Sequence, residues 1–326
     1  MNALILTGQK NITLKDLPLP LPDTDEVLIE TSYCALCKTD AKMWSMGHRD
    51  LNLPVIPGHE VIGKIKGENG FYAIWPGKSC GTCQQCLQGK ENLCTQMKIT
   101  GFHVDGGLAE YIKVPRSSLI KLPDGTSPQL AVLAEPLACG INALEQLARH
   151  GSPGSLLIVG GGTVGLMLAV GAINQGHEVV IVEKESPKIE LIKAITEQAG
   201  IKVCRDSSGL KNQFDYAVNA APGVEAFKTC MESLKSDGTL SFFSGLVAEL
   251  ISAKAVNEIH YRQLTVTGAY GCTKSQMEKA LNLIAKEGHL FKLMIERFIT
   301  LGEVPDVLPL VLSGTRLKFV VEFKDD

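Results

Sequence analysis

Leu156-Leu157-Ile158-Val159-Gly160-Gly161-Gly162-Thr163-Val164-Gly165-Leu166-Met167-Leu168-Ala169-Val170 decides the fold. A short apolar run with the length of a buried strand passes straight into a G-x-G-x-x-G turn and then into an apolar helix. In that setting Gly160 permits the tight turn, Gly162 lets the backbone approach a pyrophosphate, and Gly165 lets helix and strand pack closely. Thr163 and Val164 open the helix, whose free N–H groups and positive dipole end face the phosphates. A glycine-rich turn alone is a common strand-to-helix connection, so the next strand matters. Glu178-Val179-Val180-Ile181-Val182-Glu183 ends in an acid 23 positions after Gly160, where a carboxylate can accept both ribose hydroxyls. The same carboxylate would repel the 2′-phosphate of NADP, so NAD is expected, although Lys184 and Lys188 soften the repulsion.

Outward from this turn, apolar strands alternate with helices. Candidate strands are Ser155–Val159, Glu178–Glu183, Tyr216–Asn219, Thr239–Phe243 and Thr265–Thr267, with helices beginning near Thr163, Pro187 and Val224. This α/β alternation predicts a doubly wound parallel sheet. Residues at strand ends are expected beside the nicotinamide half of the cofactor: Asn219, Ala220, Ala221, Ser244, Gly245, Gly268, Ala269 and Tyr270. The first 130 residues instead hold short β-type runs broken by Pro and Gly, such as Glu26–Thr31 and Gly107–Val114. After Gly271 one more helix is expected over Lys274–Lys286, then a β-rich tail that folds back onto the first segment.

Bulk properties narrow the class. At 326 residues the chain suits about two domains. Net charge is −3 and the isoelectric point about 6.2, which gives no electrostatic footprint for nucleic acid. No apolar run reaches the roughly 18 residues of a membrane span, and Met1–Leu6 lacks the basic region and cleavage site of a signal peptide. With ten cysteines and no export signal, a reducing cytoplasm is expected.

Cys80, Cys83, Cys86 and Cys94 form a C-x2-C-x2-C-x7-C array. Short spacers let one knuckled loop deliver four sulfurs to a tetrahedral zinc ion, a closed site that holds a loop and performs no chemistry. An iron–sulfur cluster is the main rival, though the common bacterial run ends with a three-residue gap and a proline. Disulfides would suit a secreted scaffold, of which the chain has no other mark.

A second ligand set is scattered. Cys37-Lys38-Thr39-Asp40, Gly58-His59-Glu60 and Glu135-Pro136 are each weak alone, since a lone cysteine is more often core and a lone histidine beside an acid more often a surface pair. Together they offer sulfur, imidazole and carboxylate from three parts of the chain, and catalytic zinc needs three protein ligands and one open place.

These runs, with Asp105-Gly106-Gly107-Leu108-Ala109-Glu110-Tyr111 and Glu135-Pro136-Leu137, resemble the zinc-containing medium-chain dehydrogenase/reductase (alcohol dehydrogenase) family, in its sorbitol (polyol) and threonine dehydrogenase-like branch. The resemblance spans nearly the whole chain. It implies a GroES-like β-rich catalytic domain over residues 1–136, with a structural-zinc lobe at about 78–96, a Rossmann domain over 137–270, and a return to the catalytic domain over 271–326. Catalytic zinc would sit in the cleft. Cys37 and His59 would be its ligands, with Glu60 and Glu135 binding directly, through water or in exchange. The implied reaction is oxidation of a secondary alcohol, such as a polyol, sugar alcohol or amino alcohol, with hydride transfer to NAD. Thr39 would take the alcohol proton.

In relatives the proton relay often reaches a histidine five residues after the cysteine; here that position is Lys42, either a relay through the cofactor ribose or a solvated lysine. Trp44 matches a pocket aromatic, with core packing as the plainer reading, and Cys34 is expected to be a core cysteine. Only 21 positions separate His59 from Cys80, so the intervening loop is trimmed relative to the family. Two other readings are an NADPH-dependent quinone or enoyl reductase without catalytic zinc, and a non-catalytic nucleotide-binding redox sensor. The expected partners are a small-molecule alcohol and further copies of the chain, as a homo-dimer or homo-tetramer, with no nucleic acid and no membrane.

Overall fold

The computed structural model describes residues 1–246 and 251–323. Its contacts divide the chain into two units: Met1–Glu135 together with the stretch from Cys272 onward, and Pro136–Gly271.

The second unit is built on a six-stranded sheet whose spatial order is Lys202–Cys204, Glu178–Val182, Ser155–Val159, Phe214–Asn219, Leu234–Phe242 and Thr265–Gly268. Every neighbouring pair is parallel. Leu156, Leu157 and Ile158 are fully buried, as a strand covered on both faces requires. Helices Thr163–Asn174, Ser186–Gln198 and Val224–Ser233 supply the crossovers between strands. The first strand of the unit lies mid-sheet, and the chain winds away from it in both directions. The crevice at its carboxyl end is therefore the switch point where such sheets bind ligands.

Two strand expectations need correction. Lys202–Cys204 is an edge strand pairing with Val180–Val182, and three residues are too few to show an alternation in sequence. The strand expected from Thr239 begins at Leu234, because Leu234 is buried and pairs with Phe214 ahead of a register shift, within which Asp237 sits at φ 68°.

In the first unit the ten-residue strand Glu26–Ala35 is the spine of a seven-stranded sheet. Along one edge it pairs antiparallel with Glu60–Ile65. Its other edge is shared: Tyr111–Pro115 pairs with residues 26–30, and Lys318–Glu322 pairs with residues 33–35. Ile29, Cys34, Leu108, Ile74 and Val321 close the core beneath it. The indole of Trp75 donates to the carbonyl of Cys272 at 2.9 Å, a second tie between the early and late segments.

The tail is less β-rich than expected. Gly288–Lys292 and Val304–Ser313 are helical. Val304, Val307, Leu308 and Val311 recur at helical spacing and pack into the core, while Gly314 ends the helix in the left-handed region at φ 65°. Among the described residues no helix is long and apolar enough to cross a membrane.

Candidate active site and metal centres

Gly77–Lys78 and Lys98–Ile99 pair as a small ribbon at the base of the cysteine lobe. Above it, the sulfurs of Cys80, Cys83, Cys86 and Cys94 all lie within 4.8 Å of one another. The separations are 3.5 Å for Cys83–Cys86, 3.5 Å for Cys80–Cys94 and 4.0 Å for Cys80–Cys86. A tetrahedron with metal–sulfur bonds of about 2.3 Å has edges of about 3.8 Å. A disulfide needs about 2.05 Å, and every one of these cysteines is free. A multi-iron cluster would put several metal and sulfide atoms between the cysteines and spread them further. The cage therefore fits one tetrahedral ion. Its sulfurs also receive backbone N–H groups: Cys83 donates to Cys80, and Cys80 and Gln96 donate to Cys94, each at 3.3 Å. Such donors favour a thiolate, and backbone N–H groups bring the Cys83 thiol down to about 6. Burial among neighbouring sulfurs pushes Cys86 up to about 11.

The second cluster draws on three strands and a helix. Cys37 caps the helix Lys38–Met46, and its N–H donates to Oδ2 of Asp40 at 2.8 Å. Buried Asp40 also accepts from the N–H of Gly58 at 3.3 Å, which fixes the loop carrying His59. His59 Nδ1 lies 3.3 Å from Asp40 Oδ1 but off the hydrogen-bonding direction, so their attraction is Coulombic. Burial disfavours the imidazolium, yet Asp40 outweighs it and lifts the His59 pKa well above the usual value. Phe102 stacks edge-on against the His59 ring at 5.1 Å and limits its rotation.

Cys37, His59 and Glu60 present ligand atoms within 4.8 Å of one another. Glu60 is fully buried. Its Oε1 accepts from Lys318 Nζ at 2.7 Å, whereas Oε2 has no partner among the described residues. A buried carboxylate oxygen left without a donor is costly. One unpartnered oxygen beside a sulfur and an imidazole therefore fits a cation. Glu135 stands outside this mutual set. Its carboxylate comes within 4.8 Å of the Cys272 sulfur, and it acts electrostatically on Glu60. Burial raises the Glu60 pKa, partly opposed by Lys318 and reinforced by Glu135.

Thr39 and Lys42 are half-buried and lie three apart on the helix that Cys37 caps, so their side chains share a face. Trp44, on the same helix, packs against the core.

In the second unit the glycine turn has the expected backbone. Gly160 sits at φ 117°, and a Cβ on Gly165 would come 2.0 Å from the Gly160 carbonyl oxygen. A Cβ on Gly162 would meet nothing within 4 Å, so protein packing leaves that face of the turn free. Buried Glu183 accepts from the N–H of Gly161 at 2.9 Å and of Glu185 at 3.0 Å, with Lys188 Nζ 3.6 Å away. Asn219 bridges two strand ends, donating to the Ser244 carbonyl at 2.7 Å and accepting from Phe243 N–H at 2.8 Å. Ala220 N–H donates to the Val159 carbonyl, which carries Ala220 and Ala221 back to the turn. Gly245 is exposed after the neighbouring strand. Ala269 N–H donates to the Phe242 carbonyl, and Tyr270 is 47 % exposed.

Sequence reasoning assigned no part to Asp40, Phe102 or Lys318. Asp40 carried a signal, because an acid three residues after a helix cap can bond back to it. Lys318 carried one too, as the single charge within Leu317-Lys318-Phe319-Val320-Val321. Phe102 carried none.

Comparisons with known proteins show what the chain is similar to. The alcohol dehydrogenase GroES-like domain matches residues 23–124. An FAD binding domain profile matches residues 155–289; FAD and NAD share an ADP half, and the match begins on the strand that leads into the glycine turn. L-galactonate-5-dehydrogenase of Escherichia coli K12 is 28% identical over 323 residues, 93% of this chain and 94% of that protein. Sorbitol dehydrogenase of Halalkalibacterium halodurans is 27% identical over 350 residues, 98% of this chain and 99% of that one. Among solved structures, a protein of Sinorhizobium meliloti 1021 assigned to the zinc-binding dehydrogenases and bound to NADP superposes with a TM-score of 0.88 at 26% identity, covering 99% of both chains.

The two glycines separate stability from binding. Gly165→Ala should lower unfolding free energy by about 1–3 kcal/mol through overpacking, as read by denaturant titration. Gly162→Ala should leave that titration nearly unchanged while weakening NADH binding by about tenfold or more, roughly 1.4 kcal/mol; equal NADH affinity in this variant would contradict the assignment of the turn.

Proposed function

We propose that this chain, which belongs to the zinc-containing medium-chain dehydrogenase/reductase family, oxidises the secondary alcohol of a polyol or sugar acid to a ketone, with NAD as hydride acceptor. It is an oxidoreductase acting on CH–OH groups, and it uses zinc and a nicotinamide cofactor. The observation that carries the proposal is the convergence of Cys37, His59 and Glu60 with one buried Glu60 oxygen unpartnered. A polyol-type substrate is supported by the names of the relatives, which act on galactonate and sorbitol.

Cys37, His59 and Glu60 would hold the catalytic metal, with Glu135 as an exchanging or water-linked carboxylate; the four cysteines of the lobe would hold a second, structural ion. A zinc ion held at the first of these sites would supply Lewis-acid polarisation of the alcohol oxygen, and a nicotinamide would supply the hydride acceptor. The remaining work falls to side chains. Asp40 holds His59 by charge and Gly58 by a hydrogen bond, so the imidazole keeps one orientation. Thr39 Oγ1 takes the alcohol proton as it passes its own hydroxyl proton to Lys42 Nζ, which receives it as the neutral amine after giving one proton to solvent. Gly160, Gly162, Thr163, Val164 and Gly165 cradle the pyrophosphate. Glu183 takes the adenosine ribose, and Asn219, Ala220, Ala221, Ser244, Gly245, Ala269 and Tyr270 line the nicotinamide end.

NAD is preferred over NADP because the Glu183 carboxylate is fixed by two backbone N–H groups where a 2′-phosphate would lie. Lys188 tempers that repulsion without removing it. A homo-dimer or homo-tetramer is supported by the edge strand Thr265–Gly268, which has one sheet partner among the described residues and leaves Val266 39% exposed. The cytoplasm is the proposed compartment.

Three outcomes are expected. Plasma mass spectrometry should find two zinc ions per chain, and Cys37→Ser should retain one and lose turnover by more than about a hundredfold; one zinc in both proteins would sink the catalytic site. Steady-state kinetics should favour NAD⁺, and Glu183→Ala should shift the NAD/NADP ratio of kcat/KM toward NADP by about tenfold, roughly 1.4 kcal/mol; an unchanged ratio would dismiss Glu183 as the selector. Light scattering should return a mass at least twice the 35.1 kDa of the chain, and a monomer would contradict the assembly.

A further inference from the structure

Lys318 is a buried cation at the metal pocket with no part in the scheme above. It is 5% exposed, and it begins the strand Lys318–Glu322. Its Nζ donates to Glu60 Oε1 at 2.7 Å and to the carbonyl of Leu36 at 3.3 Å. The sheet register explains the reach. Ala35 is opposite Glu60 on one side and opposite Val320 on the other, so Lys318, two residues earlier, lies level with Cys37 and spans the Leu36 carbonyl to Glu60. Burial opposes the charge on Lys318, but Glu60 first and then Cys37 and Glu135 favour it, and the group remains a cation.

The division of labour on Glu60 is the informative point. Lys318 occupies one carboxylate oxygen, and the other is buried without a partner beside Cys37 and His59. A pair serving only to neutralise charge in the core would gain most by satisfying both oxygens, because an orphaned buried acceptor offsets much of what the pair contributes. A pair that holds one oxygen in order to aim the other leaves this pattern.

We propose that Lys318 is a positioning residue for the catalytic metal: by holding Glu60 through Oε1 it presents Oε2, and only Oε2, to the ion held by Cys37 and His59. The proposal rests on the metal pocket proposed above. Occupancy of that pocket then depends on a residue supplied by the strand Lys318–Glu322, 258 positions from the ligand it orients.

The test is zinc release from the purified holoenzyme into excess chromogenic chelator, with the cysteine-lobe ion as internal control. The wild type should release two ions in separate phases. Lys318→Met should speed the pocket phase by tenfold or more and leave the lobe phase unchanged. If Lys318→Met does not fold, Lys318→Gln, which can still donate a hydrogen bond, is measured in the same way and should also speed the pocket phase. An unchanged or slower pocket phase in the folded variant overturns the positioning role, as does equal acceleration of both phases, the mark of general destabilisation. A wild type that holds a single ion overturns the catalytic-metal reading itself, and the role of Lys318 falls with it.

Discussion

The antiparallel strand Glu26–Ala35 is the constraint on which the first unit depends, because one continuous backbone sets the positions of three others. Glu60–Ile65 takes one edge; Tyr111–Pro115 and then Lys318–Glu322 share the other. Strand side chains alternate with a period of two, so a one-residue slip would turn a whole strand inside out. Slipping Glu60–Ile65 would send Glu60 to the opposite face, and slipping Lys318–Glu322 would take Lys318 with it. Sheet register and pocket geometry are thus one specification.

That specification places charges where water cannot reach them. Asp40, His59, Glu60 and Lys318 are each buried. The effective penalty for an isolated buried ion is several kcal/mol. Here each anion faces a cation or a backbone N–H: Asp40 has His59, Cys37 and Gly58, and Glu60 has Lys318. Asp40 joins the loop carrying His59 to the helix carrying Cys37, so one carboxylate helps set the angle between two neighbouring groups. An apolar filling of the same volume would be the easier route to stability, which is why such a cluster reads as machinery.

How much of this could be seen in the sequence follows the range of each interaction. The glycine turn was legible because its constraints lie within a few residues: a carbonyl 2.0 Å from where a Gly165 Cβ would be leaves no alternative residue. The cysteine lobe was legible for the same reason, its four sulfurs coming from fifteen consecutive residues. The parallel sheet followed from alternation of apolar runs, except Lys202–Cys204, too short to carry a pattern. Helix Val304–Ser313 was hidden by its two prolines and its length of ten residues. Lys318 was the hardest to see, since its meaning comes from a pairing 258 residues away that no local pattern encodes. The FAD match over residues 155–289 has a related origin, since it begins on the strand leading into the glycine turn and FAD and NAD share an ADP half.

The shared edge of Glu26–Ala35 also orders events during synthesis. Pro136–Gly271 is contiguous, and all its strands have been made before the ribosome reaches the return segment. The other unit cannot be finished at that stage, because Ser32–Ala35 still lacks the neighbour that arrives with Lys318–Glu322. Domains generally fold as units while the chain emerges. The nucleotide unit of the nascent chain can therefore mature early, whereas Glu60 waits for its lysine until the strand Lys318–Glu322 has emerged, so the pocket is completed after the nucleotide unit rather than before it.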